Sequence, residues 1–375
     1  MAQQDASPAQ IAARARDAAS AWIASLSAEQ RALACWEPPG RGPAEQERIR
    51  WFYTPTDHGG LPLADQRPAQ QRLTMRLLAA GLSREGFVTV ATVIGWENVL
   101  DLVEDFGLTW GRERARDPGL YYLRIFGDPM HDRVWAWRFG GHHVSINQLI
   151  IDGEVRSVTP CFLGADPASA PGLGGAAIRP LAAVEDLARE LVGSLDSDQR
   201  SQALLLERAP TDIVGGNRSR LADGDRMIRL PHIWRGRFAD PELDALVNRV
   251  SDTAEAAAGL SDHDHERLAF TSAPKGLAGV DLSASQRQLL GDLVATYTGR
   301  VPETLAPTID LDDVHLAWAG STTAGQPHYY RLQAPRFLAE WDNTQRGTNH
   351  AHSVWRDPSN DFGFDALAAH RITHH

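Results

Sequence analysis

Cysteine is nearly absent, with Cys35 and Cys161 the only two in 375 residues. One disulfide can be drawn between them, but no disulfide framework. Without a Cys-x-x-Cys pair there is no thiolate metal site. Two buried free thiols are expected. Long apolar runs are missing as well, since no stretch approaches the roughly 20 residues that span a bilayer. The N-terminus does not read as a secretory signal, because Asp5, Arg14 and Arg16 interrupt it. No membrane association and a cytoplasmic location are therefore expected. There is no Lys/Arg run, and a net charge of -11 disfavours attraction to phosphate backbones, so no nucleic-acid partner is expected. The chain also lacks Gly-x-Gly-x-x-Gly, Gly-x-x-x-x-Gly-Lys-Ser/Thr, His-Glu-x-x-His and Gly-x-Ser-x-Gly. Gly215-Gly216-Asn217-Arg218 is a poor anion site, and Asp361-Phe362-Gly363 spells a kinase tripeptide without kinase context. No nucleotide cofactor is expected.

What is present is a chain that is 43% hydrophobic, enough for a substantial core. Ile11, Ala15, Ala18, Trp22 and Leu26 make a helical stripe, and Leu73, Leu77 and Leu78 make another between 68 and 82. A helix from 83 to 106 follows, although Thr89 to Ile94 is β-branched. After Pro118 the pattern turns to strands near 121–126, 134–139, 142–149 and 155–162. Helices are expected again near 180–194, 196–208, 240–258 and 281–299, then strands near 314–319, 328–333 and 336–341. Residues 342–352 read as loop or short strand, and a short helix is expected over 364–370.

This is an α+β pattern of helices with antiparallel sheet segments. An internal echo suggests two similar halves, 1–175 and 176–375, packed as one unit. Trp135-Ala136-Trp137 leads through Gly140-Gly141 to His142-His143, and Leu316-Ala317-Trp318 leads through Gly325 to His328. Helix starts at Ser27, Asp196 and Ser283 are also alike, although capping boxes converge locally.

Chemistry-bearing residues crowd the end of the chain. In a strand, His350 and His352 share a face, as two imidazoles binding one metal require. Further ligands must come from elsewhere, with His142, His143, His328 and Glu340 as candidates. Adjacent strand residues face opposite ways, so only one of His142 and His143 can point inward; the echo favours His143. Imidazoles suit Cu, Fe or Zn. The alternative is a hydrogen-bonding or structural role for these histidines. Glu340 and Asp342 share a face and can act as ligand, general base or acceptor for a histidine N–H, or simply pair with Arg331 or Arg356. Asn343 and Gln345 can position substrate or water, or tie down the loop. Glu97, between apolar runs, is a weaker candidate for a buried carboxylate. Trp135, Trp137, Trp318, Trp341 and Trp355 can wall a site, although core packing is the commoner use of such residues.

Two segments resemble the DUF3500 family, a domain of unknown function. One is Trp135-Ala136-Trp137-Arg138-Phe139-Gly140-Gly141-His142-His143. The other runs from Phe337 to Gly363 and contains Glu340-Trp341-Asp342-Asn343-Thr344-Gln345 and Asn349-His350-Ala351-His352. The resemblance covers most of the chain. It departs at Trp341, where a tyrosine is expected, which keeps an aromatic residue. It implies a shared fold and points to the two histidine blocks, without implying an activity.

Three readings follow. The first is a transition-metal enzyme with Cu, Fe or Zn on His350, His352 and His143 or His142. It acts on a small organic substrate, leaning to O2-dependent oxidation because carboxylate bases are few and tryptophans many, with zinc-dependent hydrolysis as the alternative. The second is a non-catalytic protein that binds a small polar ligand. The third, a metal-free hydrolase using Cys161 or a serine, has no supporting context.

Overall fold

A computed structural model describes residues 6–374 except 41, 236, 237 and 239. The fold is α+β, built on one mixed, 13-stranded sheet with helices packed on it. The first half of the chain supplies helices α1 (Pro8–Ala24) and α2 (Ala28–Ala34), then a two-residue strand β1 (Cys35–Trp36). Helices α3 (Pro68–Gly81) and α4 (Arg84–Val103) follow, then strands β2 (Tyr122–Phe126), β3 (Val134–Gly141), β4 (Val144–Ile151) and β5 (Cys161–Ala165). The second half supplies α5 (Ala182–Ser194), α6 (Ser197–Ala203), β6 (Leu204–Leu206), α7 (Pro241–Ala258) and α8 (Ala284–Thr298). Its strands are β7 (His315–Gly320), β8 (His328–Ala334), β9 (Phe337–Gln345) and β10 (His350–Arg356).

The main path through the sheet is β1-β2-β3-β4-β5-β10-β9-β8-β7-β6, and it reads the same from either end. At each edge a short strand runs parallel to its neighbour, and the four longer strands of each half form an antiparallel meander. The halves join where β5 and β10 pair antiparallel, with Cys161 opposite Trp355 and Ala351 opposite Ala165.

The two halves also share their helix starts. Ser27 and Asp196 cap α2 and α6 through reciprocal capping boxes that satisfy otherwise orphaned N–H groups. Gln30 donates to Asp65 O at 2.7 Å, and Gln70 donates to Gln30 at 2.8 Å and to Ser25 O at 2.8 Å. Gln199 donates to Asp281 O at 2.9 Å and to Gln286 at 3.0 Å, and Gln286 donates to Ser194 O at 2.9 Å. The capping residues therefore carry the same three-dimensional bridge in both halves. The tryptophan echo, in contrast, falls one strand out of step. Trp135 and Trp137 lie on β3, whose place in the order matches β8, whereas Trp318 lies on β7.

Strand alternation separates two faces of the sheet. Helices α1, α3, α4, α5 and α8 pack over one, where Trp22, Leu77, Trp137, Trp318, Trp341 and Trp355 join a single core cluster. The expected tryptophan wall is thus core. The other face is covered by connecting segments, with Tyr53, Phe162, Ile213 and Val354 in a separate cluster. Among the described residues, only the 20-residue α4 is long and apolar enough by composition to cross a membrane, although Glu97 and Asp101 interrupt its apolar run. It packs into the protein, and Glu97 and Asp101 lie on its buried face. Both cysteines are free.

Candidate metal centre

His350 and His352 begin β10, the strand held on both sides by β5 and β9. Residues 342–352, expected as loop or short strand, are the end of β9, a tight turn and the start of β10, with a register shift between Asp342 and Gln345. Alternation sends both imidazoles to the face opposite α4 and α8, with ring centroids 4.6 Å apart. His143 arrives from a different direction. It and His142 form the turn between β3 and β4 rather than the start of a strand. His143 has φ 62°, its N–H donates to Tyr53 O at 3.0 Å, and its carbonyl accepts from Gly164 N at 2.8 Å. These bonds turn the ring over the start of β10.

Three Nε2 atoms consequently meet. His143 Nε2 lies 2.8 Å from His350 Nε2, which lies 3.0 Å from His352 Nε2. One ligand atom from each residue falls within 4.8 Å of the others. The far nitrogens are tied back. His352 Nδ1 is 2.8 Å from Asp212 and 3.2 Å from Asp342. His350 Nδ1 is 3.5 Å from Asp166, which is also 2.9 Å from Arg346. Tyr53 donates its hydroxyl to the second oxygen of Asp212 at 3.1 Å. Imidazoles oriented by outer carboxylates are the usual support of a metal ligand set.

Burial, and then the neighbouring histidines, push His143 and His350 well below the ordinary histidine range, so both are neutral with a lone pair to offer. Burial also opposes charge on His352, but Asp212 and Asp342 outweigh it and raise the pKa to about 10. Burial raises Asp342, and it lifts Asp166 to about 6 against the pull of Arg346 and Arg116.

The other candidates are distributed as follows. His142 stacks on His143 with centroids 3.8 Å apart, and its Nδ1 bonds Glu97 at 2.7 Å. Glu97 is buried, and burial raises it to about 8 although Arg116 opposes this. His328 does not reach the cluster: it stacks on Trp318 at 4.7 Å and accepts from Arg189 at 2.8 Å. Glu340 also turns away, accepting from the N–H groups of Val214 at 3.1 Å and Gly215 at 2.7 Å and so fixing the segment after Asp212. Asn343 accepts from His328 N at 3.0 Å and donates to Glu185 at 3.2 Å, a structural tie. Asp342 supports His352 as described, and Gln345 lines the cleft and donates to Thr211 O at 3.3 Å. Sequence reasoning missed Asp212, Asp166 and Tyr53. Asp212 and Asp166 lie in aperiodic segments, and only the proximity of Tyr53 to Trp51 and Phe52 in an aromatic run marked it at all. His375 lies outside the described residues.

The histidines open onto a cleft of about 1170 Å³, also lined by Tyr53, Trp110, Asp212 and Trp234. Such a cleft is large enough for a small organic molecule beside the cluster. Comparison with curated proteins and with solved structures finds no match for this chain. A family model described as "Protein of unknown function" matches residues 8–364, nearly the whole length, and the chain belongs to that family, DUF3500.

Proposed function

We propose that this protein is a transition-metal-dependent enzyme that binds its metal through Nε2 of His143, His350 and His352 and acts on a small organic substrate in the adjoining cleft. The observation that carries the reading is the meeting of three Nε2 atoms from distant parts of the chain, two of them with a carboxylate behind the ring. The separations of 2.8 and 3.0 Å are N···N hydrogen-bond distances that a shared metal would replace. An all-imidazole donor set suits Cu, Fe or Zn, and O2-dependent oxidation on Cu or Fe is the leading reading. When bound, the metal supplies the redox chemistry. The chain would hold the ligands and keeps His143 and His350 unprotonated, and Asp212 accepts the His352 Nδ1 proton with Asp342 beside it; with its pKa at about 10, His352 also carries an Nε2 proton that the metal would displace.

Zinc-dependent hydrolysis and non-catalytic ligand binding are the competing readings. Free thiols and a net charge of -11 support a cytoplasmic location and no nucleic-acid partner. The test is elemental analysis of a variant with His374 and His375 replaced, purified without an affinity tag and then reconstituted with Fe, Cu or Zn. One redox-active metal per chain is expected, lost in His350→Ala and His352→Ala. No uptake, or uptake unchanged by those substitutions, overturns the proposal, and selective retention of zinc returns the hydrolytic reading.

A further inference from the structure

Helix α7 is amphipathic in an unusual direction. Leu246, Val247, Val250, Ala254, Ala257 and Ala258 recur at helical spacing, and all six line the cleft. Val250 is left 46% exposed. An apolar stripe normally packs into a core; here much of it faces open volume, and an apolar occupant would remove that surface from water. Elsewhere on the wall, Trp110 and Trp234 pack together with ring centroids 5.4 Å apart.

The charges of the lining are largely cancelled internally. Arg116 pairs with Glu104 at 2.7 Å, Arg346 pairs with Asp166 at 2.9 Å, and Asp212 is engaged by His352 and Tyr53. Arg249, exposed on α7, is the exception that an anionic substrate would need.

We propose that the cleft takes a neutral, largely apolar substrate bearing an aromatic ring system. It lies along the α7 stripe against the Trp110–Trp234 pair, with its reacting end at the three histidines. This names the substrate class of the metal-centre reading and rests on it for the reacting end. The binding preference itself depends only on the cleft wall.

Calorimetric titration of the full-length protein, chelator-treated and metal-loaded, with 1-naphthol, 1-naphthoate and 1-naphthylmethylammonium tests it. The expected result is 1-naphthol binding at least tenfold tighter than either charged analogue in both forms. Val250→Asp, a change at a half-exposed position that leaves the core intact, should weaken 1-naphthol at least fivefold. Equal or tighter binding of a charged analogue, no binding of any of the three, or indifference to Val250→Asp overturns the inference. Because the chelator-treated arm contains no metal, these outcomes are separate from metal uptake, which elemental analysis reads independently.

Discussion

A methyl group on Gly164 would stand 2.6 Å from Cδ2 of the His143 ring and 2.9 Å from Ala351 O, closer than real contacts allow. The absence of a side chain there is what lets β5 pass beneath the imidazole. Gly164→Ala should therefore displace His143 at a cost of about 1–3 kcal/mol in stability. Metal affinity, measured by chelator competition, should fall at least tenfold, and an unchanged affinity would mean that His143 is not a ligand. Asp212 acts through His352. Asp212→Asn keeps the shape but removes the charge that fixes the ring, so affinity should fall by about 10–100-fold with the fold retained by circular dichroism. At this scale the sequence was readable where spacing alone decides the geometry, as for His350 and His352. It was silent on Asp212, because no local pattern tells which of many loop carboxylates will meet a given imidazole.

Between residues and the whole fold stand the segments that bring ligands together. The stretch after Asp212 has little regular structure of its own and is pinned from β9, where Glu340 accepts from Val214 and Gly215 N–H groups. Tyr329 donates to the same carboxylate, and Arg331 lies 3.7 Å away. Glu340 is 1% exposed, so truncation leaves a buried guanidinium and two buried N–H groups short of a partner. Glu340→Ala should cost about 3–5 kcal/mol by urea denaturation. Glu340→Gln, which keeps one acceptor, should cost less while still loosening Asp212. Equal stability of Glu340→Ala and the unmodified protein would remove this pinning role. Strand β10 was hard to see in the sequence for a related reason. Its face opposite α4 and α8 carries His350, half-buried, and His352, buried, polar groups that imitate a solvated loop, although β10 lies at the centre of the sheet.

Across the whole molecule, the repeated order of the sheet was legible in the wrong place. Tryptophan and histidine strands drew attention because they are rare residues, but their match slips by one strand. The modest Ser/Asp-x-x-Gln helix starts, which converge easily, proved to carry equivalent glutamine bridges. Each half also buries a neutral histidine away from the candidate metal centre, His58 in the first and His328 in the second. Burial lowers both from 6.5 to about 3, with Arg189 adding to the effect on His328. Their folded pKa values lie below the unfolded one, so the unfolded chain takes up protons first as pH falls. The stability tied to neutral His58 and His328 is therefore present above pH 6.5 and lost progressively toward pH 3, on the order of 5 kcal/mol each at the limit. Glu97 acts in the opposite sense between about pH 8 and 4.5, since burial raises its folded pKa and folding there favours the protonated acid. Glu97 and the histidines oppose each other between pH 6.5 and 4.5, Asp166, raised to about 6, opposes the histidines down to its ordinary value of 3.8, and the histidines dominate below that. Urea midpoints of the unmodified protein should drop most steeply below about pH 4. The drop should be shallower in His328→Gln, which keeps an acceptor for Arg189 but cannot bind the proton. Identical slopes in the two proteins would place the acid sensitivity outside His328.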